Sequence, residues 1–143
     1  MGAPVGAPGR RGRLECLGRA PARDRDRVRR RAQRFGRPIG KFQAIRHKIA
    51  DMATKIEASK QFTYSVAWRV NNGEYPVREI SMAKLLSAQM ACEVADQTIQ
   101  VLGGYGYMKE YEVERAYRDI RLNRIGAGTD EVMLEVIGRS YGL

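Results

Sequence analysis

Apolar residues recur at Phe42, Ile45, Ile49, Met52 and Ile56, and this three-four spacing predicts one face of an α-helix. Phe62, Val66 and Val70 continue the stripe until the run from Asn71 to Pro76 breaks it, with Asn72-Gly73 as the turn and Pro76 opening the next segment. A second long helix is expected from about Pro76 to Leu102. Its apolar residues, among them Ile80, Leu85, Leu86, Met90, Val94 and Val101, spread round much of the circumference, which suits a helix in the middle of a bundle. At 1.5 Å per residue it would span roughly 40 Å, a bundle helix rather than a connector. Gly103-Gly104 closes it as a C-cap. A third helix is expected at about Val113–Leu122. Arg118, Arg121 and Arg124 lie three apart along its edge and read as a solvated face or as bundle ion pairs, with a phosphate grip as the alternative. The last helix starts at Thr129, a suitable N-cap, with Asp130 and Glu131 in the first turn where they complement the helix dipole. No strand pattern of useful length occurs. The fold class is therefore all-α, an up-down bundle either complete or one regular helix short.

The formal net charge of +10 changes this picture only for one part of the chain. Residues 1–43 hold 13 basic and 3 acidic side chains, whereas the other 100 residues hold 13 of each. Residues 1–34 are rich in Arg, Gly, Pro and Ala and contain no lysine, with too few large apolar groups to bury a face. Disorder or irregular structure is the expectation there, and residues 35–143 form the folded domain. A basic arm could contact phosphates without sequence specificity, but no aromatic residue precedes Phe35 for a base to stack on. Cys16 and Cys92 are isolated and His47 is the single histidine, so neither a zinc site nor a disulfide framework is expected. No run of 18 apolar residues exists to span a membrane, and the N-terminus has no secretory apolar core. It is Arg-rich and acid-poor like a mitochondrial transit peptide, yet has no serine and no amphipathic stripe.

Candidate chemistry concentrates in two glycine-rich turns. Gln100-x-x-Gly103-Gly104-x-Gly106-Tyr107-x-x-Glu110-x4-Arg115-x3-Asp119 resembles, spacing included, the C-terminal signature of the acyl-CoA dehydrogenases. Phe35 to Gln43, "FGRPIGKFQ", resembles the start of a helix in that family's C-terminal bundle, and "GAGTDE" stands where the family keeps its substrate and flavin loop. The resemblance implies a four-helix domain of a flavoprotein that oxidises an acyl-CoA thioester to the trans-2-enoyl-CoA. FAD is the implied cofactor, an electron-transfer flavoprotein the implied partner, and a homo-oligomer the implied assembly. The implied compartment is the cytoplasm of a bacterium or the mitochondrial matrix of a eukaryote. It further implies cofactor contacts at Gln43, Gln100, Gly103, Gly104, Thr129 and Glu131, largely to a neighbouring subunit's FAD for the first four. Ala127 and Gly128 become the substrate-facing pair, with a backbone N–H polarising the thioester carbonyl.

Ala127 occupies the position where many family members carry the catalytic glutamate, and a methyl group cannot accept a proton. The isovaleryl-CoA and long-chain enzymes place that glutamate on an upstream helix, and the former share the Gly-Ala-Gly-Thr turn. This chain resembles that subgroup, but no upstream helix is recognisable, and Glu15, the glutamate before Phe35, stands too close to Phe35. Ala32 also replaces a family arginine that grips the flavin pyrophosphate. The catalytic base is therefore unassigned, and the chain by itself is expected to be inactive. The expectation for its origin is a C-terminal domain joined to a foreign N-terminal segment, by truncation or a shifted reading frame. Two other readings stand beside it: a non-catalytic oligomerisation module, and a basic-armed nucleic-acid binder.

Overall fold

A computed structural model describes residues 33–34 and 37–143 of the protein. The readings placed on residues 1–32 and on Phe35 and Gly36, including the basic arm, Glu15, Cys16 and Ala32, lie outside these residues. Helix α1 is Gln43–Asn71, α2 is Val77–Leu102, α3 is the single turn Gly104–Tyr107, α4 is Glu112–Arg121 and α5 is Asp130–Ser140. A two-residue antiparallel ladder, Gln33–Arg34 (β1) with Arg37–Pro38 (β2), precedes a 3-10 turn at Ile39–Lys41. The chain is all-α, as its periodicity predicts.

Helix α2 is the hub, packing against α1 on one side and against α4 and α5 on the other. Lys48 donates to Gln97 at 2.7 Å and Arg69 pairs with Glu79 at 3.2 Å, so α1 and α2 run antiparallel from the Asn72-Gly73 turn. The buried positions of α1 are Met52, Ser59 and Val66. Those of α2 include Ser81, Ala88, Ala95 and Leu102. Both sets repeat every seven residues, the spacing of two helices that supercoil along a common seam. The seam is made largely of serine and alanine, which lets the two backbones approach closely. A hydroxyl is tolerated there because it bonds within its own helix: Ser81 Oγ donates to the Val77 carbonyl at 2.9 Å and Thr98 Oγ1 to the Val94 carbonyl at 2.7 Å.

Two expectations about large apolar residues need correcting. Leu86 and Val70 are exposed, Val70 in the last turn of α1, while small residues such as Ala88 and Ala95 take the buried positions of α2. At the other end of α2, Leu102 and Val113 form a cluster joined by Ile39, Ile99 and Tyr111. Gly103 caps α2 with φ 61 and ψ −138, a combination open to glycine. Gly106 then presses against the end of α2 so closely that a Cβ would stand 2.9 Å from Ile99 Cα. This glycine is a contact between backbones, which the sequence motif alone does not reveal.

Candidate functional site

The sequence-predicted site residues fall into two groups on one molecule. Gln43 is the first residue of α1, and the antiparallel register set by the Lys48–Gln97 bond carries it to the C-terminal end of α2. Gln100, Gly103 and Gly104 are at that end, and all four are exposed. Nothing lies within 4 Å of a Cβ added to Gly103 or Gly104, so this backbone faces open space. A bare, uncrowded backbone flanked by two amide side chains fits the flat face of a cofactor approaching from outside the molecule.

The second group is the turn that starts α5. Ala127 is in the left-handed region with φ 56, and Gly128 follows with φ 96. Ala127 is exposed, Gly128 and Thr129 half-buried, Glu131 exposed. Thr129 caps the helix as expected, accepting from the Val132 N–H at 3.4 Å. Glu131 is held below its ordinary pKa by its own backbone N–H and the Thr129 hydroxyl, so its carboxylate is engaged locally as well as facing solvent. The turn docks on α2 near Lys84 and Gln89. At 1.5 Å per residue it therefore lies roughly 15–25 Å along that helix from the Gln100–Gly104 end. One molecule does not bring the two groups together.

Asp130 differs from its sequence reading. Its role is not limited to complementing the helix dipole, because the side chain is buried and paired. Asp130 Oδ2 accepts from Arg124 Nε at 2.7 Å and from Gln89 Nε2 at 3.3 Å, while its Oδ1 is buried without a partner. Of the three-residue arginine series, Arg124 is thus a bundle ion pair and Arg118 pairs within its helix with Glu114 at 2.8 Å. With Asp130 neutralised by Arg124, Glu131 is the carboxylate left facing solvent at the start of α5. Lys84 Nζ donates to the Gly128 carbonyl, a contact with no sequence signal, since lysine on a helix ordinarily reads as solvated. The Arg124–Asp130 pair had a faint one: an aspartate next to an N-cap threonine, with an arginine just upstream.

Burial pushes the Asp130 carboxyl up, but hydrogen bonds from Arg124 and Gln89 and the charges of Arg124 and Lys84 outweigh it and hold the pKa below the ordinary 3.8. The groups around it are Lys84, Gln89 and the Cys92 thiol on α2, Arg124 in the 3-10 turn Leu122–Arg124 after α4, and Glu131 on α5. A carboxylate with a depressed folded pKa stabilises fully above 3.8, and that contribution is lost as pH falls through the lower folded value. Acid unfolding is therefore expected to be steeper below pH 3.8 in the native chain than in Asp130→Asn. Urea midpoints measured at stepped pH check this, and parallel curves for the two proteins would count against the ion pair. Cys92 is half-buried, with its thiol 3.7 Å from the Ile120 carbonyl and its pKa raised by burial. Among the described residues no cluster of metal-ligating side chains occurs, and no helix is long and apolar enough to cross a membrane.

A family model described as "Acyl-CoA dehydrogenase, C-terminal domain" matches residues 18–142. The chain is 44% identical over 125 residues to a 3-(aryl)acrylate reductase of Clostridium sporogenes, covering 86% of this chain and 33% of that protein. It is 46% identical over 110 residues to a mitochondrial isovaleryl-CoA dehydrogenase of Oryza sativa subsp. japonica, covering 77% and 27% respectively. Among solved structures, a probable acyl CoA dehydrogenase from Mycobacterium abscessus superposes with a TM-score of 0.85 at 40% identity, covering 90% of this chain and 34% of that one. The chain thus spans about a third of the length of the relatives it matches.

Proposed function

This chain belongs to the acyl-CoA dehydrogenase family, through its C-terminal domain, and from that premise we propose that it is the substrate- and flavin-facing helical part of an enzyme that oxidises an acyl-CoA to a 2-enoyl-CoA. The family consists of flavin-dependent dehydrogenases, and its members use FAD. The single observation that carries the reading is the Ala127–Gly128 turn, exposed at Ala127, with positive φ at both residues and a capped helix directly behind it. A turn in that conformation offers backbone rather than side chains to a ligand, which suits polarising a thioester carbonyl. Ala127 contributes no proton acceptor.

In this reading the Gln43, Gln100, Gly103 and Gly104 surface, whose glycines face open space, meets the FAD of a second copy, so the assembly is a homo-oligomer. Thr129 and Glu131 contact flavin at the turn itself. Bound flavin would supply the acceptor for the substrate's β-hydrogen, with electrons passing on to an electron-transfer flavoprotein. The catalytic base is not among the residues of the turn, and the chain alone is inactive.

Isotope-labelled chain titrated with FAD and with isovaleryl-CoA tests both halves of the proposal. FAD is expected to shift the amides of Gln100, Gly103 and Gly104, and isovaleryl-CoA those of Ala127 and Gly128. Shifts at neither surface, at millimolar ligand, would remove these site assignments. The purified chain is expected to show no flavin absorbance that bleaches with a panel of acyl-CoA thioesters. Bleaching would overturn the inactivity.

A further inference from the structure

We propose that Lys84, Arg124 and Asp130 are positioning residues that hold the Ala127–Thr129 backbone in its ligand-presenting orientation. The inference rests on the reading that this turn faces an acyl-CoA thioester. In a trans peptide the carbonyl and the following N–H point in opposite directions. Lys84 Nζ draws the Gly128 carbonyl toward α2, so the Thr129 N–H is turned away from α2, to the outer side of the turn.

The second hold is a clasp. Arg124 stands just before the turn and Asp130 just after it, and their ion pair at 2.6 Å brackets Ile125 to Thr129. Gln89 bonds the same carboxylate oxygen from α2 at 3.3 Å. The turn is thus closed on itself and docked on the central helix at two places, through Lys84 and through Gln89. Left-handed backbone at an alanine is sparsely populated and persists only when its surroundings impose it. These contacts are that surrounding.

A helix-capping role does not account for Asp130, because Thr129 already takes the free N–H of Val132. Asp130 is 6% exposed, and its Oδ2 is the atom that Arg124 and Gln89 both grip. Lys84 and Arg124 bring two cations to one carboxylate and one carbonyl, with the Cys92 thiol and Arg121 beside them.

Amide hydrogen exchange on the intact chain separates positioning from general stability. The Gly126 N–H, bonded to the Leu122 carbonyl at 2.7 Å, reports opening of the turn, and the Met133 N–H, bonded to the Thr129 carbonyl at 3.0 Å, reports the start of α5. In Lys84→Met and in Asp130→Asn these amides are expected to exchange about tenfold faster, as loss of one charge-assisted hydrogen bond implies. Amides in the middle of α2, such as those near Val94, should keep their native rates. Lys84→Arg, which retains a donor, should restore slow exchange. Unchanged Gly126 and Met133 rates, or equal acceleration throughout the chain, would overturn the proposal. Failure of the substrate reading looks different: isovaleryl-CoA would then leave the Ala127 and Gly128 amides of the native chain unmoved while the exchange pattern of the variants still held.

Discussion

Replacing Ile120 with alanine is expected to lower the stability of the fold by about 2–4 kcal/mol, the usual cost of emptying a fully buried aliphatic site. Ile120 is 2% exposed and is one of the two buried residues of α4. Helix α4 has ten residues, too few to persist without tertiary anchoring. The effect should also be local in a particular way. Ile120 lies directly ahead of the 3-10 turn Leu122–Arg124, which supplies the arginine of the Arg124–Asp130 clasp, and its carbonyl receives the Cys92 thiol at 3.7 Å. Loosening α4 should therefore free the Ala127 turn before it disturbs α1. A urea titration followed by residue-resolved exchange would check both parts, and a loss of less than about 1 kcal/mol would mean that the site collapses without leaving a cavity.

Met52→Ala is expected to cost a similar amount, about 2–4 kcal/mol, by the same cavity argument, but to act on the opposite side of the molecule. Met52 is 1% exposed in the seven-residue seam of α1, and its sulfur lies 3.9 Å from the Thr98 hydroxyl. The next buried position along α1 is Ser59, too small to fill the space a methionine leaves. The expected signature is faster exchange along α1, with the Gly126 and Met133 amides affected only through global unfolding. Together the two variants decide whether α2 carries two separable interfaces, one with α1 and one with α4 and α5. If both variants accelerate every amide by the same factor, the bundle opens as one unit.

Much of the fold was legible in the sequence because long helices advertise themselves by period. The α1 stripe and the break at Asn72-Gly73 fall where the structure has them, as do the Gly103 cap and the Thr129 cap, each within a residue or so. Burial does not follow residue size: Leu86 and Val70 belong to the apolar pattern and are exposed, while Ser59, Ser81, Ala88 and Ala95 are buried in the seam with Met52, Val66 and Leu102. Where two helices come close, a serine or an alanine is buried as fully as a large apolar residue, so part of the seam carries little hydrophobic signal. The candidate site divides in the same way. Which residues belong to the two turns could be read from motif spacing, since glycine patterns record backbone conformation. Lys84 and Gln89 could not, since each is an ordinary polar residue on a helix until another segment settles over it.

What the sequence determined by itself is therefore the helical period, the caps, the two glycine turns and the absence of a proton acceptor at Ala127, all properties of residues within a turn or two of one another. What only the tertiary structure decided is which side chains cross between elements. Asp130 is buried under Arg124, Lys84 reaches the Gly128 carbonyl, and the two glycine turns stand on separate parts of α2. The physical reason is range. Local propensity and periodicity act over a few residues and are written in sequence order, whereas a salt bridge or a packed seam depends on the register and closeness of helices far apart in the chain.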